Sequence, residues 1–374
     1  MSVSDTVKLS RLVITCGGTG GHFYPGLSIA LAAKGQGIEV LLLLSGVNSE
    51  SQSRLAGAAG VASVVLPQMP HPGSPISAWR FIRGALGGWR RAAGCFRDFK
   101  PQAVLGMGSF AMTPVLLAAG RRRIPIFLHD GNTVIGKANR IFSRYARAVG
   151  CAYPPVNAER IRAPWELVGM PVRQALRQQA DITKPRAVKE LNDNFGAGFD
   201  PDAPTLLVIG GSQGAASFNS TLPEVFKAHA GSLQIMHLSG RGKREDTAEA
   251  YRGFTGKLLL LESSEHIEWF LGAADLVFAR SGGSTLAELT LFGKPAVLIP
   301  YPYAAEDHQR RNAEWFVGIG GGRMIASGDF SFDTAREMLT VPPEEWRRCA
   351  EASRRAGRPD AAEKMLSLIE NLIQ

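Results

Sequence analysis

Two glycine-rich turns hold the residues whose types and spacing most clearly permit chemistry. GGTGGH ends at His22 after an apolar strand, and GGSQG spans residues 210–214 after another. A strand that runs into a glycine turn and then a helix directs backbone N–H groups and the positive end of the helix dipole at one point, which suits a phosphate. His22 adds an imidazole able to accept a proton from a substrate hydroxyl, although a histidine that only caps or packs on the helix is an equal alternative.

The first turn does not fit a dinucleotide cofactor. Phe23 stands where the GxGxxG pattern needs its last glycine, and the second strand ends in LLLLSG without the acid that would bind a ribose. NAD binding is therefore disfavoured, and no cofactor is expected.

The segment HDGN (residues 129–132) follows the apolar strand IPIFL. Residues 131–137 match the P-loop spacing GxxxxGK, but Ala138 replaces the Ser or Thr that binds magnesium, so an NTPase is disfavoured. Two alternatives stay open. Asn132 caps the following helix, or the polar side chains of HDGN project from the carboxyl end of the strand towards a ligand.

Polar groups also follow strands in the second half. In ARSGGSTLAEL (279–289), Glu288 lies one helical turn beyond Ser284, where its carboxylate could accept both hydroxyls of a ribose or simply face solvent. The segment YPYAAEDHQRRNAEW (301–315) offers a His, a Gln and an Asn that could reach a sugar or cap a helix. These loops and the GGSQG turn together favour a nucleotide-diphosphate site.

No metal site is expected. Asp200 and Asp202 form a DxD pair, but Pro201 between them favours a solvated turn. The four cysteines are scattered and form no CxxC pair, which is typical of a reduced cytoplasmic protein without structural zinc. The polar stretch before the first strand predicts no signal peptide, and no membrane-spanning segment is expected.

The elements that must position these groups alternate between strand and helix, in a chain whose 374 residues favour two domains. Such alternation predicts an α/β fold with parallel sheets covered on both faces. Strands are expected near 11–15, 38–44, 62–66, 103–107, 124–128, 148–151, 205–210, 233–238, 257–261, 275–279, 295–299 and 322–325. In the first half, helices are expected near 24–35, 50–59, 77–97, 111–120 and 133–146.

Positive charge is concentrated in one segment. Nine basic residues lie between Ile76 and Arg123, where Asp98 is the only acid, although the whole chain carries a net charge of +9. A helix over 76–96 would place aromatic and aliphatic side chains on one face and arginines largely on another. Such a helix is either an ordinary surface helix or an interfacial element on anionic lipid, and the lipid interpretation is favoured; no motif supports nucleic acid binding. The membrane-contacting residues are predicted to be Trp79, Arg80, Ile82, Arg83, Leu86, Trp89, Arg90, Arg121, Arg122 and Arg123.

The order of these segments resembles the MurG family, the N-acetylglucosaminyltransferases of glycosyltransferase family 28 that convert lipid I to lipid II. The resemblance is carried over nearly the whole chain by GGTGGHFYPGLSIA, VLGMGSF, HDGN, GMPVR, GGSQGAASFN, ADLVFARSGGSTLAEL and DHQRRNA. It implies a GT-B fold: two Rossmann-like α/β domains facing a cleft, with a C-terminal helix crossing back to the N-terminal domain. The implied bounds are 1–180 for the acceptor- and membrane-binding domain, 181–203 for a linker, 204–345 for the UDP-sugar domain and 346–374 for the returning helix.

The resemblance also implies roles for individual residues. His22 is the leading general base and Asp130 the second candidate. Acceptor-binding residues are Gly18, His22, Gly108, Ser109, Phe110, His129 and Asp130. Donor-binding residues are Thr19, Gly20, Gly21, Asn132, Arg173, Gly211, Ser212, Gln213, Gly214, Ile267, Arg280, Ser281, Gly282, Ser284, Thr285, Glu288, His308, Gln309 and Asn312.

The implied reaction is an inverting displacement in which the 4-hydroxyl of lipid I attacks the anomeric carbon of UDP-N-acetylglucosamine and UDP departs. Helix N-termini and glycine amides would stabilise the diphosphate without a metal. The expected location is the cytoplasmic face of the bacterial cell membrane, as a peripheral protein. HDGN, GMPVR and Gly108–Ser109–Phe110 depart from the family's HEQN, GNPVR and GGY, mostly on the acceptor side. The alternatives are a related GT-B enzyme with another acceptor and an inactive nucleotide-sugar-binding paralogue.

Overall fold

The structure, a computed structural model, describes residues 8–18, 20–69, 75–211, 213–229 and 233–373, with only the backbone for 75–78. It divides into two compact units, an N-terminal unit of Met1–Arg173 with Pro359–Gln374, and a C-terminal unit of Gln174–Arg358. Two predicted donor-binding residues, Thr19 and Ser212, lie outside the described residues.

The N-terminal unit contains a seven-stranded sheet in the order β3-β2-β1-β4-β5-β6-β7, and every pairing is parallel. Its strands are β1 (Arg11–Gly17), β2 (Glu39–Ser45), β3 (Ala62–Val65), β4 (Ala103–Gly106), β5 (Ile126–Asp130), β6 (Ala148–Cys151) and β7 (Trp165–Leu167). Its helices before the crossover are α1 (Gly20–Gly35), α2 (Ser49–Ala58), α3 (Pro75–Phe99), α4 (Thr113–Arg121) and α5 (Lys137–Ser143). The sequence did not predict β7.

The C-terminal unit contains a six-stranded parallel sheet in the order β10-β9-β8-β11-β12-β13. Its strands are β8 (Thr205–Ile209), β9 (Gln234–Leu238), β10 (Lys257–Leu261), β11 (Leu276–Ala279), β12 (Ala296–Leu298) and β13 (Gly322–Met324). Its helices are α6 (Gln174–Gln178), α7 (Lys184–Phe195), α8 (Ala216–Lys227), α9 (Arg244–Ala250), α10 (Ile267–Ala273), α11 (Gly283–Phe292), α12 (His308–Gly318), α13 (Phe332–Leu339) and α14 (Pro343–Ala356). The predicted α/β class, with one parallel sheet in each half, is confirmed.

In both sheets, the strand that comes first along the chain lies inside the sheet, with a neighbour on each side. β1 lies between β2 and β4, and β8 lies between β9 and β11. The strand order therefore reverses beside β1 and beside β8, and α/β proteins place ligands at the carboxyl ends of such strands. The two glycine turns follow β1 and β8, so each turn lies at the switch point of its own sheet.

The predicted linker 181–203 is wrong, because most of it forms α7. This helix begins after Thr183, ends at Gly196 in the left-handed conformation, and packs on α10. Ala187, Val188 and Leu191 supply its buried side. Three apolar side chains on one face are enough for a surface helix, because only that face packs on the rest of the unit.

The predicted single helix 346–374 is also wrong in part. Gly357 and Pro359 interrupt it, since proline cannot continue a helix and its predecessor avoids the helical region. The first piece, α14, packs on α11 within the C-terminal unit. The second, α15 (Ala361–Leu372), belongs to the N-terminal unit and packs on α1 and β6, so the return of a C-terminal helix is confirmed for α15 alone.

Two helix layers cover the N-terminal sheet. Leu12 and Ile14 of β1 join the core formed with α1, α2 and α15, while Val13 joins the core formed with α3, α4 and α5. Successive side chains of a strand alternate in this way between the two faces of a sheet. The layer of α3, α4 and α5 is therefore on the opposite face from the returning helix.

Replacement of Met365 by alanine is expected to destabilise the N-terminal unit by about 2–5 kcal/mol, because it leaves a cavity in a fully buried position. Gly150 makes room for this side chain: a Cβ there would lie 2.5 Å from the Met365 sulfur. Urea unfolding followed by tryptophan fluorescence measures the loss. The exposed neighbour Leu372 is the control, and equal effects of both alanine variants would contradict the assigned packing of α15.

Candidate active site

His22 lies in the first turn of α1, with its ring fixed by the end of the neighbouring strand β4. Its Nδ1 lies 2.8 Å from the carbonyl oxygen of Met107. A carbonyl only accepts, so in the neutral ring Nδ1 carries the proton and Nε2 is the basic nitrogen. Gly108 has φ +93°, and a Cβ there would lie 3.1 Å from Cε1 of His22. The absence of a side chain at Gly108 therefore leaves room for the His22 imidazole.

The first glycine turn is held by the strand next to β1. Gly17 has φ +130°, and a Cβ there would lie 2.4 Å from the Ser45 carbonyl oxygen. Asn48 donates from Nδ2 to the Gly18 carbonyl at 3.0 Å. Gly20 and Gly21 are exposed at the start of α1. The turn thus presents its last two glycines to solvent at the amino end of a helix.

Asp130 occupies the loop that resembled a P-loop. Its Oδ1 accepts from the Asn132 amide at 3.1 Å, and its Oδ2 accepts from the Gly136 amide at 2.9 Å and from Asn139 Nδ2 at 2.8 Å. Burial raises the pKa of this carboxyl, whereas these hydrogen bonds and the nearby His22 act in the opposite direction. The loop amides are therefore directed at a carboxylate of the chain itself, which explains why the glycine spacing does not make a phosphate loop.

Three expectations for HDGN are corrected by this geometry. His129 and Asp130 end β5 and are 1% and 4% exposed, so they do not project towards a ligand. His129 places Nε2 3.0 Å from the Gly169 carbonyl, and burial lowers its pKa to about 4, which keeps it neutral. Gly136 is the N-cap of α5, so Asn132 does not cap that helix.

The remaining predicted groups of the N-terminal unit are accessible. Ser109 has φ +68° and its Oγ accepts from the Ala111 amide at 3.4 Å, while Phe110 is 51% exposed. Arg173 lies over the ring of Tyr24, in the first turns of α1, at 5.4 Å. Asn132 is half-buried. These side chains border the same carboxyl edge of the sheet as His22.

In the C-terminal unit, the GGSQG turn is pressed against the loop after β9. Gly214 has φ +66°, its amide donates to the Gly211 carbonyl at 2.9 Å, and a Cβ there would lie 1.9 Å from the Ser239 carbonyl oxygen. Lys243 donates to the Gln213 carbonyl at 2.8 Å. The path of the turn therefore requires a residue without a side chain at position 214.

A buried chain of hydrogen bonds, absent from the predicted site, supports this contact. His237 receives the Tyr251 hydroxyl at Nδ1 (2.9 Å) and donates from Nε2 to Asn219 Oδ1 (3.0 Å). Asn219 in turn donates from Nδ2 to the Ser239 carbonyl at 3.0 Å. One proton arrangement satisfies all three bonds, because the final acceptor is a carbonyl. The sequence signal was an Asn one helical turn beyond GGSQG and a His inside an apolar strand.

The C-terminal unit is expected to lose stability as the pH falls below about 6.5, because burial lowers the pKa of His237 to about 3 in the folded chain. Between about pH 6.5 and about pH 3, His237 therefore binds a proton in the unfolded chain but not in the folded chain. The free energy of unfolding then falls by up to about 1.4 kcal/mol per pH unit. Urea unfolding from pH 7 to pH 4 measures the slope. A His237→Gln variant should show a shallower slope, and equal slopes would contradict the assignment.

Several predicted donor contacts instead join the loops to one another. Arg280 donates to the Ile299 and Pro300 carbonyls at 2.9 and 2.8 Å. Ser281 is fully buried and donates from Oγ to the Gln309 carbonyl at 2.7 Å. Asn312 is also fully buried and donates to the Ser281 carbonyl at 3.0 Å. The side chains of Ser281, predicted to bind the donor, and of Asn312, predicted to meet the sugar, are therefore both buried, and both fix the loops after β11 and β12.

The other predicted donor residues surround the amino ends of two helices. Gly282 is the N-cap of α11, and Ser284, Thr285 and Glu288 are half-buried along its first two turns. His308 begins α12 and donates from Nδ1 to the Ala305 carbonyl at 2.8 Å. Two predicted donor residues remain. Ile267 is the first residue of α10, and its side chain is buried. Gln309 accepts at Oε1 from the Tyr301 amide at 3.0 Å.

The expected turn at the DxD pair is present: the Asp202 amide donates to Asp200 Oδ1 at 3.0 Å. Within the described ranges, the structure contains no group of three or more His, Cys, Asp or Glu residues arranged to hold a metal ion. No helix in the same ranges has the length and apolar character needed to cross a membrane.

The predicted membrane residues are mostly exposed. Trp79, Ile82 and Leu86 of α3 are 60%, 56% and 52% exposed, and Arg83 lies over the Trp79 ring at 5.5 Å. The prediction that Trp89 contacts the membrane is wrong, because its side chain is half-buried against the core beneath α3. All the arginines predicted to contact the membrane are exposed. They are Arg80, Arg83 and Arg90 of α3, and Arg121, Arg122 and Arg123 at the end of α4.

Two Rossmann-like units, each with a glycine turn at the switch point of a parallel sheet, define a glycosyltransferase fold of the GT-B type. Residues 12–151 match the glycosyltransferase family 28 N-terminal domain, and residues 205–365 match its C-terminal domain. The fold is similar to the crystal structure of Acinetobacter baumannii MurG, with a TM-score of 0.76 and 23% identity over 97% of this chain and 100% of that one.

Sequence relatives extend over the same length. Enzymes named UDP-N-acetylglucosamine--N-acetylmuramyl-(pentapeptide) pyrophosphoryl-undecaprenol N-acetylglucosamine transferase are 35% identical in Alkalilimnicola ehrlichii, over 94% of this chain and 96% of theirs, and 34% identical in Halorhodospira halophila, over 98% and 99%. The protein from Desulforamulus reducens with the same name is 31% identical over 97% of this chain and 99% of its own. The chain belongs to glycosyltransferase family 28.

Proposed function

We propose that this protein transfers N-acetylglucosamine from UDP-N-acetylglucosamine to the 4-hydroxyl of the N-acetylmuramyl group of lipid I. The observation that carries this proposal is full-length similarity to enzymes of that name, combined with an imidazole held in one tautomer at the first glycine turn. The product would be lipid II.

The C-terminal unit would bind the donor. Amides of the GGSQG turn and of the α11 amino end would hold the diphosphate, which suits their helix dipoles. Glu288 would accept the ribose hydroxyls, and the backbone of Ile267 would read the uracil. Gln309 and His308 would meet the sugar.

His22 would act as the general base. Nε2 removes the proton from the acceptor hydroxyl as that oxygen forms its bond to the anomeric carbon. The bond from this carbon to the diphosphate oxygen breaks, and UDP leaves with the electron pair, so the configuration inverts. Fixed amides that face the diphosphate stabilise the growing negative charge without reorganising. The exposed ring of Phe110 and the glycine turn near His22 would contact the acceptor.

Radiolabel transfer from UDP-N-acetylglucosamine to purified lipid I tests this function. We expect labelled lipid II with inversion at the anomeric carbon. Turnover only with another acceptor would assign a related glycosyltransferase, and binding of the sugar nucleotide without turnover on any acceptor would assign an inactive paralogue. Parallel reactions with other UDP- and GDP-sugars define the donor.

We further propose that the exposed face of α3 holds the N-terminal unit on an anionic membrane. Replacing Trp79 and Ile82 with serine should reduce sedimentation with phosphatidylglycerol vesicles by about tenfold or more, since each loses buried apolar area at the lipid interface. Leu55→Ser is the matched control, because Leu55 is 48% exposed on α2. Unchanged sedimentation of the α3 variant would eliminate this surface as the membrane contact.

A further inference from the structure

A groove of about 800 Å³ lies at the carboxyl edge of the N-terminal sheet, beyond the end of β3. It is lined on one side by Ser49 and Glu50 at the start of α2, and on the other by Gly87, Arg90 and Arg91 of α3. Residues 65–68, at the end of β3 and just after it, complete the lining. Ligand sites usually have volumes of about 300–1,000 Å³, so the groove is large enough for part of a substrate.

The groove is joined to the first glycine turn by the loop after β2. Gly46 in this loop has φ +112°, and a Cβ there would lie 2.7 Å from the Gly18 Cα. Asn48 donates from Nδ2 to the Gly18 carbonyl at 3.0 Å, and the next residue is Ser49, which lines the groove. The turn beside His22 and the groove therefore share this loop as a common wall.

The separation between the glycine turn and the groove suits a short peptide. β1 and β3 are two strand spacings apart, about 10 Å, because adjacent strands lie about 4.8 Å from each other. An extended pentapeptide spans about 17 Å, at about 3.3–3.6 Å per residue. A peptide that starts on a sugar beside the glycine turn can therefore extend across the ends of β2 and β3 into the groove.

Two glycines of α3 bring the chain after β3 against this helix. A Cβ at Gly87 would lie 3.2 Å from Pro67 Cγ, and a Cβ at Gly84 would lie 2.3 Å from the Gln68 carbonyl oxygen. Glycine inside a helix weakens that helix relative to alanine. The sequence nevertheless has glycine at both positions, and residues 67 and 68 of the groove are fixed by direct packing on α3.

The charged side chains of the groove favour a carboxylate beside α3. Arg90 and Arg91 are exposed on this helix, and Glu50 is the single acid among the described residues that line the groove. A guanidinium stays charged at neutral pH and binds a carboxylate through two parallel hydrogen bonds. Glu50 repels an anion on the α2 side. Arg91 is not one of the residues predicted to contact the membrane.

We propose that this groove binds the peptide of the acceptor, with the terminal carboxylate of the peptide on Arg90 and Arg91. The inference rests on the proposed function, because the name of the sequence relatives places a pentapeptide on the N-acetylmuramyl group. A muramyl carboxyl group joins a peptide through its amino end, which leaves the terminal carboxylate free. A shorter peptide would not bring this carboxylate to the arginines, so the groove would select acceptors that carry the complete peptide.

Transfer to two water-soluble lipid I analogues tests the groove without a bilayer. One analogue carries a pentapeptide with a free terminal carboxylate, and the other carries the same peptide as a terminal carboxamide. We expect the kcat/KM of the wild type to be about tenfold higher for the carboxylate, because the amide has lost the charge that the arginines bind. The double variant Arg90→Gln, Arg91→Gln should lose this preference through a higher KM for the acceptor, with the KM for UDP-N-acetylglucosamine unchanged.

Two further variants separate the groove from the general charge of this region. Arg97→Gln with Lys100→Gln removes the same charge at the end of α3, but neither residue lines the groove, so the preference should remain. Glu50→Gln removes the repelling carboxylate, so the preference should increase. All these side chains are exposed, and the melting temperatures should change little.

Equal kcat/KM of the wild type for the two analogues would overturn the proposal, as would a tenfold preference that persists in the Arg90→Gln, Arg91→Gln variant. Loss of the preference in the Arg97→Gln, Lys100→Gln control would also overturn it, because general charge would then explain the effect. If the groove variant lost only its sedimentation with phosphatidylglycerol vesicles and kept the preference, the two arginines would belong to the membrane contact instead. Absence of transfer by the wild type to either analogue would refute the proposed function itself.

Discussion

Gly214→Ala is expected to weaken binding of UDP-N-acetylglucosamine at least about 100-fold, which corresponds to about 2.7 kcal/mol. The new Cβ would lie 1.9 Å from the Ser239 carbonyl oxygen, a contact with backbone that no side-chain rotation can relieve. The turn must move away from the β9 loop, which displaces the backbone proposed to hold the diphosphate. Isothermal titration calorimetry with UDP measures the loss.

Gly196→Ala is the matched control for this experiment. Gly196 has φ +64°, almost the value of Gly214, but a Cβ there meets nothing within 4 Å. The control carries the same left-handed strain, about 1–2 kcal/mol of stability, without the clash. It should bind UDP like the wild type. Normal UDP binding by Gly214→Ala, or equal loss in both variants, would contradict the placement of the donor at GGSQG.

Much of the fold could be predicted because its strands are buried on both faces. Runs such as LVITC and LLVI need no alternation to be recognised as strands, and the glycine turns after them mark where the helices begin. The helix α7 was missed although its ends carried signals. Pro185 lies in its first turn and Gly196 follows its end, but the many charged residues between them were typical of a linker.

The site was less predictable, because residue type does not reveal which way a polar side chain points. Asp130 and Asn312 are of residue types that often bind ligands. Both are nevertheless buried, and their side chains form hydrogen bonds with the backbone of this chain. Their partners, Gly136 and Ser281, are brought near by the turn geometry of the loops. The buried pair Asn219 and His237 was missed because the sequence shows an Asn after GGSQG and a His inside an apolar strand, but not that their side chains meet.

His22→Gln is expected to lower kcat about 10²- to 10⁴-fold, the usual contribution of a general base. Affinity for UDP should change by less than about threefold, because the ring is held by Met107 and Gly108 of the N-terminal unit, while UDP would be bound by the other unit. Steady-state kinetics with lipid I and calorimetry with UDP separate these two quantities. The acid limb of the kcat profile should disappear in the variant, since glutamine does not titrate.

Asp130→Asn is the control that separates the two candidate bases. The amide keeps the shape of the side chain, but its NH₂ cannot accept one of the hydrogen bonds that hold the loop, at a cost of about 1–3 kcal/mol in stability. Its kcat should keep the acid limb of the wild type, because Asp130 is buried and its oxygens are occupied by three donors. If the acid limb vanished in Asp130→Asn and persisted in His22→Gln, the base would be the carboxylate, and the tautomer fixed by Met107 would have only a structural role.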